Sequence, residues 1–194
     1  KQAHLKPLDA RVIHQRPAVI QELTWEAQSF PSSSPGSDSV KNILFSFYNG
    51  ELFRMVVTYD PDRIAGLTAG DIVEAVSAKY GIATRPVAEI ILSSTYLYND
   101  GEKVISDWSE KVLARWEDSQ YSFNLYQPPY QSTFGMVIYS KRLDALARAA
   151  IDEAIRLDNQ EAPKRDTERQ NKKDEENPAR QEKARRANKA PFRP

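Results

Sequence analysis

The sequence predicts an α+β fold: an antiparallel β-sheet built from hairpins, with two helices packed on one face and a charged C-terminal tail. Several short segments alternate apolar and polar residues, the pattern of a half-buried strand, because successive side chains of a strand point to opposite faces. Two other segments repeat apolar residues at helical spacing. The connections between strands are too short for parallel crossovers, so neighbouring strands are expected to pair as hairpins.

The residue pattern of the N-terminal part changes at Val19, from no regular period to apolar–polar alternation. Residues 1–18 mix charges, prolines and aliphatics without a sustained period and are predicted to be an irregular lead-in. From Val19 the chain alternates, with Leu23 and Trp25 on one side of an extended segment. This pattern predicts a strand and places Trp25 in the core. Residues 30–39, rich in proline and serine, are predicted to be a loop.

A β-hairpin is predicted around Asn49-Gly50, which separates β-rich runs at 43–48 and 51–59. This dipeptide is typical of a two-residue type I′ turn. In that register, however, the apolar residues of the two runs would point to opposite faces of the sheet. A one-residue shift turns every side chain over, so the buried faces meet only if the loop is odd in length.

The sequence therefore predicts a three-residue loop, 48–50, with Gly50 in the left-handed region of backbone space. This loop pairs Phe45 with Phe53 and places Arg54 on the solvent face.

A helix is predicted after a turn at residues 59–63. Thr68 is its expected N-cap and Asp71 stands at the capping-box position, where a negative charge also suits the positive helix end. Gly81 is the expected C-terminal stop. The apolar stripe of this helix consists of Ile72, Val73, Val76 and Tyr80.

The second half of the chain is predicted to contain further strands. Residues 87–110 give a weak pattern, with a short strand at 90–92 and with 103–110 compatible with either strand or helix. A hairpin is predicted over 112–127 and another strand over 133–139.

The final helix is predicted to begin near Ser140. Apolar residues recur at helical spacing from Leu143 to Ile155, and charged residues, including Asp144, are placed on its solvent face. This helix completes a single domain that is expected to extend from residue 19 to 159.

The tail, 160–194, is predicted to be disordered or a fraying helix. From Pro163 to Pro194 it has eleven Lys or Arg, six Asp or Glu and a single large apolar residue, Phe192, so it carries net charge +5 against −5 for the rest of the chain. Without an apolar stripe, no burial offsets the entropy of ordering, and Pro163 and Pro178 interrupt a helix in this segment. The six acidic residues weaken the case for phosphate binding, so nucleic acid is the less favoured partner.

Composition excludes several kinds of chemistry. The chain has no cysteine, which rules out disulfides, thiolate catalysis and zinc–sulfur sites. No stretch approaches the roughly 18 apolar residues of a membrane span. The first residue is Lys1 rather than methionine, which favours an extracytoplasmic origin slightly.

Candidate catalytic residues are few. No nucleophile elbow, metalloprotease motif, phosphate-binding loop or dinucleotide fingerprint is present, and the two histidines, His4 and His14, fall in the expected lead-in. Carboxylates are the remaining acid–base groups. The candidates are Asp60 and Asp62, better interpreted as turn formers, Asp71, better interpreted as a helix cap, and Glu74 in the first turns of the helix.

Aromatic residues cluster between 116 and 134 and suggest a stacking platform for sugars or bases. The set consists of Trp116, Tyr121, Phe123, Tyr126, Tyr130 and Phe134. Strands favour aromatics and a core needs them, so a core role is the preferred interpretation. By alternation Tyr126 and Tyr130 are expected to be the more exposed members.

The leading hypothesis is a small non-catalytic binding or scaffolding module, with a protein or small polar ligand as partner and no cofactor or metal. The alternatives are a carboxylate-dependent hydrolase acting on a polar substrate, and polyanion binding by the tail. The sequence leaves ligand identity and oligomeric state open.

Overall fold

The structure, a computed structural model, describes residues 9–27, 39–97, 103–128 and 133–189. Its elements are β1 (Asp9–His14), β2 (Ile20–Glu26), β3 (Val40–Tyr48), β4 (Glu51–Tyr59), α1 (Ala69–Tyr80), β5 (Glu89–Leu97), β6 (Lys103–Glu117), β7 (Tyr121–Tyr126), β8 (Gly135–Ser140) and α2 (Lys141–Lys189). The strands form an antiparallel sheet in the order β1-β2-β3-β4-β8-β7-β6-β5. The predicted α+β class and antiparallel sheet are therefore confirmed.

The chain divides into two compact units, Lys1–Ile151 and Asp152–Pro194, so that α2 begins in the first unit and ends in the second. The sheet, α1 and the first turns of α2 form the first unit.

Helix α1 packs on one face of the sheet. Its predicted start is confirmed: the Asp71 backbone N–H donates to Thr68 Oγ1 at 3.2 Å, and the Asp71 carboxylate accepts from the Thr68 backbone N–H at 2.7 Å. Gly81 ends the helix with φ 88°, a conformation that glycine adopts without strain. The core under α1 consists of Val57, Ile64, Ile72, Ala114, Trp116, Leu125, Phe134 and Met136.

Helix α2 packs on the opposite face, which corrects the prediction that both helices share one face. Val57 belongs to the α1 core, whereas Arg54 of the same strand donates to Asp144 of α2. The register of β4 is regular between these residues, so alternation points Arg54 and Val57 to opposite sides. The central strands carry apolar residues on both faces, and periodicity alone cannot assign a helix to one of them.

The face under α2 is concave. Val56, on the same side of β4 as Arg54, packs against a cluster that includes Leu92 of β5. Arg54 Nη1 donates to the Ile91 carbonyl of β5 at 3.2 Å, although in a flat sheet β4 and β5 would lie four spacings apart, roughly 19 Å, beyond the reach of an arginine side chain. The sheet therefore curls until β5 approaches β4.

The β3–β4 hairpin turns through two residues, so the predicted three-residue loop is wrong. Tyr48 pairs with Glu51, and Asn49 and Gly50 have φ angles of 49° and 84°, as a type I′ turn requires. The positive φ angle predicted for Gly50 is confirmed.

One extra residue is needed to place the apolar residues of β3 and β4 on the same face of the sheet, and it lies within β4 rather than in the loop. The pairing shifts between Ser46 and Phe47, so that Phe45 pairs with Met55 instead of Phe53. A bulge within a strand corrects register as effectively as an odd loop does, and alternation does not distinguish the two.

Three further segments differ from or resolve the sequence expectations. Residues 9–14 of the expected irregular lead-in form the edge strand β1 and bury Ile13, and residues 103–110 belong to β6. Helix α2 continues through Pro163 and Pro178, so the helical alternative for the tail is observed as far as Lys189. Each proline removes one intrahelical hydrogen bond. The Arg165–Asp158 ion pair spans Pro163, and the Arg186–Glu182 pair follows Pro178 by one turn.

Burial matches the sequence at one tryptophan and differs at two other aromatics. Trp116 is 3% exposed, as predicted, whereas Trp25 is half-buried because only the edge strand β1 lies beyond β2. Tyr126 is 4% exposed although exposure was expected. The curled sheet covers both faces of β7, so alternation along that strand does not separate buried from exposed residues.

Candidate interaction surface

The connection from α1 to β5, residues 81–88, exposes two large aliphatic side chains and is named the α1–β5 loop. Ile82 is 96% exposed and Val87 is 105% exposed. Single exposed apolar residues are ordinary on protein surfaces, but two fully exposed β-branched residues in one short loop concentrate apolar area.

Three sets of hydrogen bonds fix this loop to β6. Trp116 Nε1 donates to the Gly81 carbonyl at 3.0 Å. Thr84 and Arg115 exchange two backbone hydrogen bonds of 2.8 Å each, and the Val112 N–H donates to the Ala88 carbonyl at 2.9 Å. The loop is thus ordered when the protein folds, so contact with a partner would require little additional ordering.

Small residues beside the exposed pair face inward. Ala83 packs against the α1 core, and Ala88 packs against the cluster on the concave face. Ile82 and Val87 lie next to these inward residues and project to solvent. The sequence contains no periodic pattern here that would mark the two aliphatics as outward-facing, and sequence reasoning missed them.

An ion cluster on the concave face consists of the largely buried Arg54 and Asp144 and the half-exposed Arg148. Arg54 Nε and Nη2 donate to Asp144 Oδ1 at 2.9 and 2.6 Å, and Arg148 Nε donates to Oδ2 at 2.7 Å. The Arg54 and Asp144 side chains are 13% and 6% exposed, so the expectation that both face solvent is corrected. Each is buried because the other, 90 residues away, neutralises it.

The hydrogen bonds of this cluster link three elements of the fold: β4, α2 and β5. Both oxygens of Asp144 accept hydrogen bonds from guanidinium groups, and Arg54 also reaches the Ile91 carbonyl. The cluster therefore ties α2 and β5 to the centre of the sheet across the concave face.

Glu22 lies on the same concave face, opposite Arg11 on β1 and buried Ser46 on β3. Burial raises the pKa of the Glu22 carboxyl above its ordinary value, and the nearby charges of Arg11 and Arg54 oppose that shift. Burial therefore favours the protonated form of the Glu22 carboxyl.

The carboxylates singled out in the sequence lie in the turn after β4 and in α1. Asp60 Oδ1 accepts from the Asp62 N–H at 2.9 Å, and both belong to the turn after β4. Hydrogen bonds from Thr68 lower the pKa of Asp71, and Glu74 is exposed on α1. Asp60 therefore stabilises the turn after β4, and Asp71 caps α1.

The remaining sequence candidates are dispersed. His14 is half-buried on β1, and His4 and Tyr130 lie outside the described residues. Among the aromatics, Phe134 belongs to the α1 core, Tyr126 packs on the concave face, and Tyr121 is 46% exposed. The described members therefore do not form one stacking platform.

Over residues 9–27, 39–97, 103–128 and 133–189, no group of three or more His, Asp or Glu side chains is placed to hold a metal ion. In those same ranges neither helix has the length and apolar content needed to cross a membrane. Comparisons with protein-family models, curated proteins and solved structures find no match.

Proposed function

We propose that the first unit is a non-catalytic protein-binding module that contacts its partner through the α1–β5 loop. The observation that carries the proposal is the full exposure of Ile82 and Val87 on a loop fixed at Gly81, Thr84 and Ala88. An ordered loop that keeps its largest aliphatics in water gains free energy when another surface covers them.

The chemistry of the loop favours a protein partner. Branched aliphatic side chains offer neither the ring face that stacks on sugars and bases nor the charge that binds phosphates. They fit apolar pockets of the kind found at the centre of protein interfaces. Covering each side chain fully would contribute roughly 1.5–3 kcal/mol.

A paired set of variants tests this proposal. Ile82→Ser with Val87→Ser removes the exposed aliphatics of the loop, and Leu52→Ser with Leu146→Ser removes two residues that are 42% and 43% exposed elsewhere. Both double variants and the parent protein are used to isolate partners from native cells, and each purified partner is then titrated calorimetrically.

The loop variant is expected to melt with the parent protein and to weaken binding by at least about 10²-fold, since 1.4 kcal/mol corresponds to tenfold. The control variant is expected to retain the parental Kd. A loop variant that keeps every partner at the parental Kd contradicts the proposal.

A further inference from the structure

The second unit contains a regular row of basic residues along one side of its helix. Positions 165, 169, 172, 176, 180, 183 and 187 follow one another at intervals of three or four, so they share a side of an α-helix. Five of these positions are basic and exposed, and the other two hold Glu176 and Ala187. The basic row is defined as Arg165, Arg169, Lys172, Arg180 and Lys183.

Helix formation separates charges that alternate in the sequence. Of the six acidic residues after Pro163, only Glu176 falls at a position of the row. The others are Asp166, Glu168, Asp174, Glu175 and Glu182. Counting charges along the sequence therefore understates how basic one side of this helix is.

We propose that the basic row binds the phosphate backbone of double-stranded nucleic acid. From Asp158 to Lys189 the helix has no Leu, Ile, Val, Met, Phe, Tyr or Trp. It therefore lacks the apolar face with which a helix enters a lipid surface and the apolar centre of a protein interface.

A duplex matches a purely charged row. It carries one negative charge per roughly 1.7 Å of its axis. The basic row extends over about 27 Å, taking a helical rise of 1.5 Å per residue. Arginine adds two parallel hydrogen bonds to each phosphate that it contacts, and three of the five residues are arginines.

The size of the effect follows from counterion release. Arg165 is paired with Asp158 at 3.3 Å, so it must exchange that carboxylate for a phosphate when the duplex binds. Five phosphate contacts then give a slope of log K against log salt of about −4.5. Raising the salt from 50 to 200 mM should then weaken binding roughly 10²- to 10³-fold, independently of base sequence.

The test measures fluorescence anisotropy of a labelled 20-base-pair DNA with the full chain. Two variants each lose two lysines and two arginines to glutamine, and circular dichroism compares their helix content. The row variant changes Arg169, Lys172, Arg180 and Lys183; the off-row variant changes Lys164, Lys173, Arg185 and Arg186.

The row variant should lose at least tenfold more affinity than the off-row variant, and its salt slope should shrink to about −1. Equal losses in the two variants, or a salt slope near zero for the unaltered chain, overturn the proposal. Tighter binding to polyglutamate or to anionic phospholipid vesicles at the same salt concentration also overturns it.

Discussion

The Arg54 cluster gives the sharpest stability prediction. Replacing Arg54 with Met leaves the Asp144 carboxylate, 6% exposed, without two of its three hydrogen bonds from guanidinium groups. Breaking a buried ion pair by removing one partner costs roughly 3–5 kcal/mol, because a buried charge remains uncompensated. A domain is typically stable by about 5–15 kcal/mol, so this one substitution should remove a large fraction of its stability.

A matched control comes from the second arginine of the cluster. Arg148 also donates to Asp144, but its side chain is 46% exposed and water screens the pair. Arg148→Met should therefore cost no more than about 1 kcal/mol. The double change Arg54→Met with Asp144→Leu removes both buried charges and should recover most of the loss.

Urea unfolding followed by tryptophan fluorescence measures these differences, provided that the m-value is unchanged between variants. If Arg54→Met lowers the free energy of unfolding by less than about 1 kcal/mol, or by no more than Arg148→Met does, the cluster does not hold α2 and β5 to β4.

Three further predictions concern buried groups. Because the folded-state pKa of Glu22 lies above the ordinary 4.5, the contribution of Glu22 to stability is fully present below pH 4.5 and is lost as pH rises through the raised value. Glu22→Gln should remove this contribution from the pH dependence of the melting temperature, and an unchanged pH profile refutes the prediction. Burial raises the pKa of Tyr126 from 10.0 to about 12, so stability should fall by at most about 2–3 kcal/mol between those pH values, and less in Tyr126→Phe. A Cβ at Gly135 would collide with the ring of Tyr126, so Gly135→Ala should cost roughly 1–3 kcal/mol, whereas Gly70→Ala on α1 should stabilise; equal midpoints would contradict this.

Sequence patterns predicted the elements that are stabilised by residues only a few positions apart in the chain. Thr68 and Asp71 cap α1 as a capping box does in any sequence context, and Asn49-Gly50 marks a hairpin because few residues tolerate its backbone angles. The bulge in β4 has no such signature. It follows from the requirement that the apolar residues Phe45 and Met55 lie on the same face of the sheet.

The features missed from the sequence depend on residues far apart in the chain. Arg54 and Asp144 look solvent-facing in their own segments, and each becomes buried only when the curled sheet brings α2 and β4 together. The exposure of Ile82 and Val87 likewise depends on hydrogen bonds from β6, some thirty residues further along. The sequence of the α1–β5 loop alone does not predict its hydrogen bonds to β6.

The central claim is that the α1–β5 loop is ordered before any partner binds, and native-state hydrogen exchange tests it most directly. Strong protection is expected for the Thr84 and Arg115 amides, which donate to each other's carbonyls, and for the Val112 amide, which donates to the Ala88 carbonyl. Protection of these three amides should approach that of the central strands, even though the loop lies on the surface. Exchange of Thr84 and Val112 at the rate of an unstructured loop would contradict the account.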